Sequence, residues 1–272
     1  MKRVIIIVAI ITVAFFGSAQ ENVTTFGFMF KPIIPSNLFR AGDISISTDR
    51  NDLVVGMSQR MGYSFGMVIR HGINKNWTFE TGLNYVQRRF TLDFDNSSTQ
   101  FSESLTYGIV GYELPVMGLL NIKLADQVFM NTAFGAVVDM FPSNVQGITE
   151  LDEVGGEYVE FLALRTTWVQ FSLNANLGWE YRTEKNGIFY IGGSYHRPFY
   201  PMYRTKIFYD GLNGDTHESY VNISGNYLTM DLRYFFHEDP EKRKSRQQRK
   251  KERAEKEKKK EIFYRPGIDG SK

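Results

Sequence analysis

From Val169 onward the chain alternates. Val169, Phe171, Leu173, Ala175, Leu177, Trp179 and Tyr181 are apolar, while Gln170, Ser172, Asn174, Asn176, Gly178, Glu180 and Arg182 between them are small, polar or charged. A period of two belongs to a β-strand with one apolar face. The polar face here carries small and charged groups, and the apolar face ends in aromatics. That combination fits a strand with lipid outside and a polar lumen inside. Eight segments carry a strand pattern: about 23–31, 61–70, 77–91, 107–124, 127–138, 166–182, 187–197 and 226–236. In the second, Met61, Tyr63, Phe65, Met67 and Ile69 oppose Gly62, Ser64, Gly66 and Arg70. In the last, Leu228, Met230, Leu232, Tyr234 and Phe236 oppose Thr229, Asp231 and Arg233. Pro115 lies inside the fourth, where it removes a ladder donor.

The connections alternate in length. Residues 71–76, 125–126 and 183–186 make short turns, whereas 32–60, 92–106, 139–165 and 198–225 are long. Short turns on one side and long loops on the other are the asymmetry of an outer-membrane barrel. The predicted fold is therefore all-β, an eight-stranded antiparallel transmembrane β-barrel over 20–236, with both termini periplasmic and the long loops outside. A soluble eight-stranded barrel of the lipocalin type is the alternative. It would turn its apolar face inward, yet in this chain the face of small and charged residues is the one that suits a narrow interior.

The ends change the picture. Lys2 and Arg3 precede an apolar run, Val4–Phe16, and Gly17-Ser18-Ala19 offers a small-residue cleavage site, so 1–19 reads as a signal peptide. The chain has no cysteine, which excludes disulfides, thiol catalysis and thiolate metal ligands. Its four histidines, His71, His196, His217 and His237, show no ligand spacing. The net charge of +2 is split: residues 241–260 hold twelve Lys/Arg against four Glu, and with Lys2 and Arg3 set aside this leaves 20–240 at −8. Residues 237–272 thus read as a basic periplasmic extension, a charged helix (Glu252–Lys256 and Glu255–Lys259 have helical spacing) or a disordered linker. Its Ile262-Phe263-Tyr264 tip reads as a docking peptide or an unstructured end. Export removes nucleic acid as its partner and leaves an anionic membrane face or an envelope protein for 238–272.

The inward positions hold Lys31, Arg70, Glu80, Arg88, Glu113, Lys123, Glu180, Arg182, Asp231 and Arg233. Both signs are present, as expected of a lumen packed by ion pairs; an open channel needs about 16 strands. Ser194 and His196 share a face, which the register turns inward, so they read as lumen hydrogen-bonding groups rather than a nucleophile and base. Asp139, Glu150, Asp152, Glu153, Glu157 and Glu160 make the third long loop acidic, without a calcium-loop pattern. Trp77, Trp179, Tyr181, Tyr195, Phe199 and Tyr200 lie near strand ends and read as interface girdles.

Two stretches carry a family likeness. The last strand reads Tyr227-Leu-Thr-Met-Asp-Leu-Arg-Tyr-Phe-Phe236, and Tyr112-Glu113-Leu114-Pro115-Val116 is similar to a Glu-(Ile/Leu)-Pro element of fourth strands. With a leader ending Ser18-Ala19-Gln20, the chain resembles the outer-membrane β-barrel proteins of Bacteroidetes, the PorT-like and porin-like small barrels. The resemblance implies an outer-membrane location and recognition of Tyr234, Phe235 and Phe236 by the barrel-insertion machinery. It departs from those barrels in running past Phe236. The resulting expectation is a non-enzymatic structural or tethering component of the envelope or a surface system, with no catalytic residue, metal or cofactor. An outer-leaflet lipid-modifying enzyme is the alternative, and a small solute channel is the less favoured third.

Overall fold

The computed structural model describes residues 23–35, 44–47, 53–97, 100–148, 158–211, 216–237 and Glu255. Thirteen strands appear in chain order: β1 Thr24–Ile34, β2 Ile44–Ser47, β3 Leu53–Gly72, β4 Trp77–Asn96, β5 Phe101–Lys123, β6 Val128–Met140, β7 Val145–Ile148, β8 Tyr158–Arg165, β9 Val169–Arg182, β10 Ile188–Pro198, β11 Tyr203–Asp210, β12 Thr216–Ile223 and β13 Tyr227–Phe235. Eight of them, in the order β1-β13-β10-β9-β6-β5-β4-β3, close on themselves through β1–β3. Every pairing is antiparallel. Closure gives backbone donors and acceptors partners around the ring, which lipid requires because it offers none. No described helix is long and apolar enough to cross a membrane.

Alternation does what it predicts within the ring. On β9, Phe171, Leu177, Trp179 and Tyr181 are exposed on the outside, while Gln170, Ser172, Asn174, Asn176 and Glu180 are buried inside. The short turns are built locally. Asn74 Oδ1 accepts from the Asn76 and Trp77 amides at 2.9 and 2.8 Å. Thr183 Oγ1 accepts from the Asn186 amide at 2.9 Å, and Gly187 follows at φ 85°, a conformation open to glycine. Around Pro115 the β4–β5 pairing skips from Thr81↔Val116 to Asn84↔Glu113, and the Thr81 hydroxyl donates to the Pro115 carbonyl at 2.8 Å.

The lipid band is bounded by aromatics. Tyr63, Phe65, Tyr85 and Tyr112 pack ring to ring across β3, β4 and β5. Trp77, Trp179 and Tyr181 stand exposed at the other end. The eight residue steps from Trp77 to Tyr85 on a tilted strand span about 21 Å, close to the apolar height of an outer-membrane barrel. Beyond the tyrosines the outward positions become Arg60, Arg89, Asp93 and Asp95.

The long connections depart from the sequence expectation. Residues 92–106 are not a loop: β4 and β5 continue through them and turn between Asn96 and Phe101. The 32–60 stretch contains β2 and the start of β3, 139–165 contains β7 and β8, and 198–225 contains β11 and β12. The last four form a second antiparallel sheet, order β12-β11-β8-β7. Its inner face, with Val159, Phe161, Ile207, Tyr209 and Val221, packs on Phe90, Leu92, Phe94, Tyr107 and Ile109 of the extended β4 and β5 in one apolar core. Tyr107 and Phe161 meet with ring centroids 4.6 Å apart. The solvent rule explains why these strands escape a lipid-based reading. On β4 the inward positions change from Thr78, Glu80, Asn84 and Arg88 within the band to Phe90, Leu92 and Phe94 above it. In water the apolar side must turn inward. On β3 a register shift between Arg60 and Tyr63 also moves the inward set from even to odd positions.

The predicted signal peptide 1–19 and the 238–272 extension lie outside the described residues, apart from Glu255, which is helical. So do Glu150, Asp152, Glu153 and Glu157 of the predicted acidic loop.

Candidate functional site

Among the described residues, the lumen gathers charge inside the lipid band, and it does so in two tiers. In the first, Arg70 on β3 bridges Glu180 at 2.6 Å and Glu80 at 3.0 Å. Arg182 meets the other Glu180 oxygen at 2.6 Å. Arg233 reaches Asp231 at 2.7 Å and also pairs with Glu80. Lys31 stands 3.6 Å from Asp231. Neutral donors complete the shell: Ser194 Oγ donates to Asp231 at 2.6 Å, Asn176 Nδ2 at 3.0 Å and Thr229 Oγ1 at 2.6 Å. Three guanidiniums also lie over rings, Arg70 on Phe235 at 4.0 Å, Arg182 on Phe129 at 3.8 Å and Arg233 on Tyr190 at 4.6 Å. A buried ionic network holds only when its members are paired, since each charge loses its hydration on entering.

The Tyr190 ring fits over Gly178 and Gly192, which are register partners on β9 and β10. A Cβ on either glycine would overlap the Tyr190 hydroxyl. That hydroxyl donates to Asn176 Oδ1 at 2.6 Å, so the glycine pair makes the room that lets the aromatic complete the tier.

The second tier lies nearer the end of the barrel that carries the second sheet. Glu113 on β5 and Asp139 on β6 are direct register partners. Arg88 donates to Glu113 at 3.0 Å, and the Tyr227 hydroxyl donates to the same oxygen at 2.6 Å. His196 Nε2 lies 3.3 Å from Asp139 Oδ2 and 3.9 Å from Glu113 Oε1. Its ring stacks on Tyr227 at 4.6 Å. Over this tier sit Met202 and Phe141, both buried; Arg88 contacts the Met202 sulfur at 2.7 Å and lies 5.7 Å from the Phe141 ring. They belong to the apolar core between the second sheet and the extended strand ends, which therefore stands across that end of the lumen.

The predicted inward charges fall mostly here, with corrections. Lys123 is not in the lumen: it is exposed at the β5–β6 turn and pairs with Asp126 at 3.1 Å, because β5 ends there. Asp139 is not part of an acidic loop but a buried residue of β6. The inward face is also less polar than expected, since Met29, Val68, Met117 and Leu119 line it between the charges. Ser194 and His196 both face inward, but in separate tiers and toward different carboxylates. Of Tyr234, Phe235 and Phe236, the middle residue is buried under Arg70, while Tyr234 and Phe236 pack edge to face outside at 5.5 Å. Sequence reading missed the convergence of Glu113, Asp139 and His196. The signal lay in their shared inward parity, but only strand order brings β10 within reach of β6 across β9.

On the lipid side an apolar-walled groove of about 600 Å³ runs between Phe28, Phe30, Trp179, Tyr181 and Phe189. Its walls are mainly apolar, and Glu180, Arg233 and Tyr234 also line it.

The model of the family described as outer membrane protein beta-barrel domain matches residues 24–204. No curated protein matches the sequence. Among solved structures, the chain is similar to the outer membrane protein OprG from Pseudomonas aeruginosa, at 12% identity and a TM-score of 0.48, covering 81% of this chain and 99% of that one.

Proposed function

From a chain that belongs to the outer membrane protein beta-barrel domain family, we propose a closed, non-enzymatic barrel of the small Bacteroidetes type, PorT-like or porin-like, that anchors an outer β-domain and a periplasmic extension for an envelope or surface assembly. The carrying observation is the lumen itself. Ion-paired side chains from β3, β4, β9 and β13 meet across it, and Met202 and Phe141 stand over its outer end. A solute would have to break several buried ion pairs to pass, each strongly resisting separation. The large investment of strand outside the lipid band supports a role in presenting a surface rather than in conduction. Ser194 and His196 point away from the bilayer, which speaks against lipid turnover at that pair.

In this reading both termini are periplasmic, Tyr234 and Phe236 are the aromatics offered to the insertion machinery, and 238–272 docks an anionic partner through its lysines and arginines. The test compares the full chain with a truncation ending at His237. Both should insert as heat-modifiable barrels and give no conductance steps in planar bilayers, and only the full chain should crosslink a partner in envelope membranes, less so as salt rises. Discrete single-channel steps from the full chain, or an identical crosslinking pattern from the truncation, would overturn the proposal.

A further inference from the structure

Glu113, Asp139 and His196 form, among the described residues, the one group of three or more His, Asp or Glu side chains whose ligand atoms converge, all lying within 4.8 Å of one another. They come from β5, β6 and β10 and are buried, with His196 at 0% exposure. We propose that they are a metal site in the outer third of the lumen, taking one borderline first-row divalent cation of the Zn²⁺ class.

Three observations carry this. The first is geometric. Ligand atoms about 2.1 Å from a tetrahedral metal stand about 3.4 Å apart; His196 Nε2 is 3.3 Å from Asp139 Oδ2, and a Glu113 carboxylate oxygen lies within 4.8 Å of both residues' ligand atoms. The second is charge. Glu113 is paired with Arg88, but Asp139 has no lysine or arginine within ion-pair distance among the described residues; His196 is its nearest charged-group neighbour, with Arg88 acting from farther off. Two carboxylates against the single guanidinium of Arg88 leave an excess of negative charge in a closed interior, which a cation bound at the imidazole offsets. The third is an excess of orphaned atoms. Asp139 Oδ1, His196 Nδ1 and Asn174 Oδ1 are buried without hydrogen-bond partners. A metal at His196 Nε2 leaves the ring proton on Nδ1, and Asn174, the register partner of His196 on β9, has a free acceptor oxygen for it. Glu113 accepts from Arg88 and Tyr227 at Oε1, which holds the carboxylate in place and leaves Oε2 as the oxygen free to ligate. One imidazole with two carboxylates, in a chain without cysteine, suits Zn²⁺, Mn²⁺ or Fe²⁺ better than a thiolate-seeking ion and better than Ca²⁺, which takes an all-oxygen shell.

The site lies beneath Met202 and Phe141, so the ion enters most easily before the outer core closes. The experiment therefore refolds the untagged full chain from denaturant into detergent, free of lipopolysaccharide, with Zn²⁺ present and Ca²⁺ in excess. After gel filtration, elemental analysis should find close to one Zn per chain. His196→Gln and Asp139→Asn should each weaken retention at least tenfold, while His71→Gln at an exposed position should leave it unchanged. Refolding wild type with Co²⁺ gives a reading that does not depend on the variants: visible d–d bands of a nitrogen–oxygen site should appear and bleach on adding Zn²⁺. A heat-modifiable wild-type barrel without Zn and without those bands overturns the proposal, as does retention by well-folded His196→Gln and Asp139→Asn at the wild-type level.

Discussion

Glu180 shows how much one residue can hold. It has no exposed side-chain surface, accepts from Arg70 and Arg182 at 2.6 Å each, and takes a further bond from Asn131. Glu180→Leu would preserve its bulk while leaving two guanidiniums short of their counter-charge. We expect a loss of about 3–5 kcal/mol, the range for breaking a buried pair on one side, read as a lower urea midpoint of the heat-modifiable form. An unchanged midpoint would mean that the lumen is hydrated enough to solvate the arginines. Tyr107 is the counterpart above the lipid band. Burial pushes its phenol up to about 12. A folded pKa above the usual 10 means the fold prefers the neutral phenol. The stabilisation is then fully present below pH 10 and is lost as pH rises toward 12, by roughly 3 kcal/mol in all. Tyr107→Phe should remove that alkaline loosening of the outer core, followed by near-ultraviolet circular dichroism between pH 9 and 12.

At the scale of elements, one strand obeys two solvents. β4 crosses lipid with charge inside, then enters water with Phe90, Leu92 and Phe94 inside. The extended ends of β3–β5 and the β7-β8-β11-β12 sheet stabilise each other through a core that neither could build alone. Removing one ring from that core tests the division. Phe161, 2% exposed and packed at a tilt against the Tyr107 ring, should cost about 3–5 kcal/mol as Phe161→Ala. The cost should fall on the outer sheets: protease should cut them faster on intact cells while the membrane-embedded fragment stays heat-modifiable. Loss of the whole barrel instead would show that outer core and ring fold as one unit.

For the whole molecule, topology follows from where the chain is short. The turns around Lys75 and Lys185 are tight, and the opposite end carries the second sheet. With no native cysteine to compete, single cysteines report the proposed orientation cleanly. Asp95→Cys and Gln146→Cys should react with an impermeant maleimide on intact cells, whereas Lys75→Cys and Lys185→Cys should react only after permeabilisation. The reverse pattern would invert the barrel and place the second sheet in the periplasm.

Period-two alternation located the eight ring strands and told the outward Phe28, Phe65 and Trp179 from the inward Lys31, Ser64 and Glu180, because side chains on a strand point to opposite faces whatever surrounds it. The lipid-facing side was legible too, since charge cannot face hydrocarbon. Partnership was not legible. Nothing local pairs Arg70 with Glu180, 110 residues away, or sets His196 beside Asp139; those contacts depend on strand order and shear in a closed ring. Nor did alternation reveal the outer sheets. A rule that assigns faces by solvent fails where the solvent changes along a strand, and a register shift such as that between Arg60 and Tyr63 reverses the parity on which the rule depends. The sequence alone thus determined which medium each strand face meets. Only the tertiary structure decided which charges meet inside and what closes over them, because both are set by distances between segments far apart in the chain.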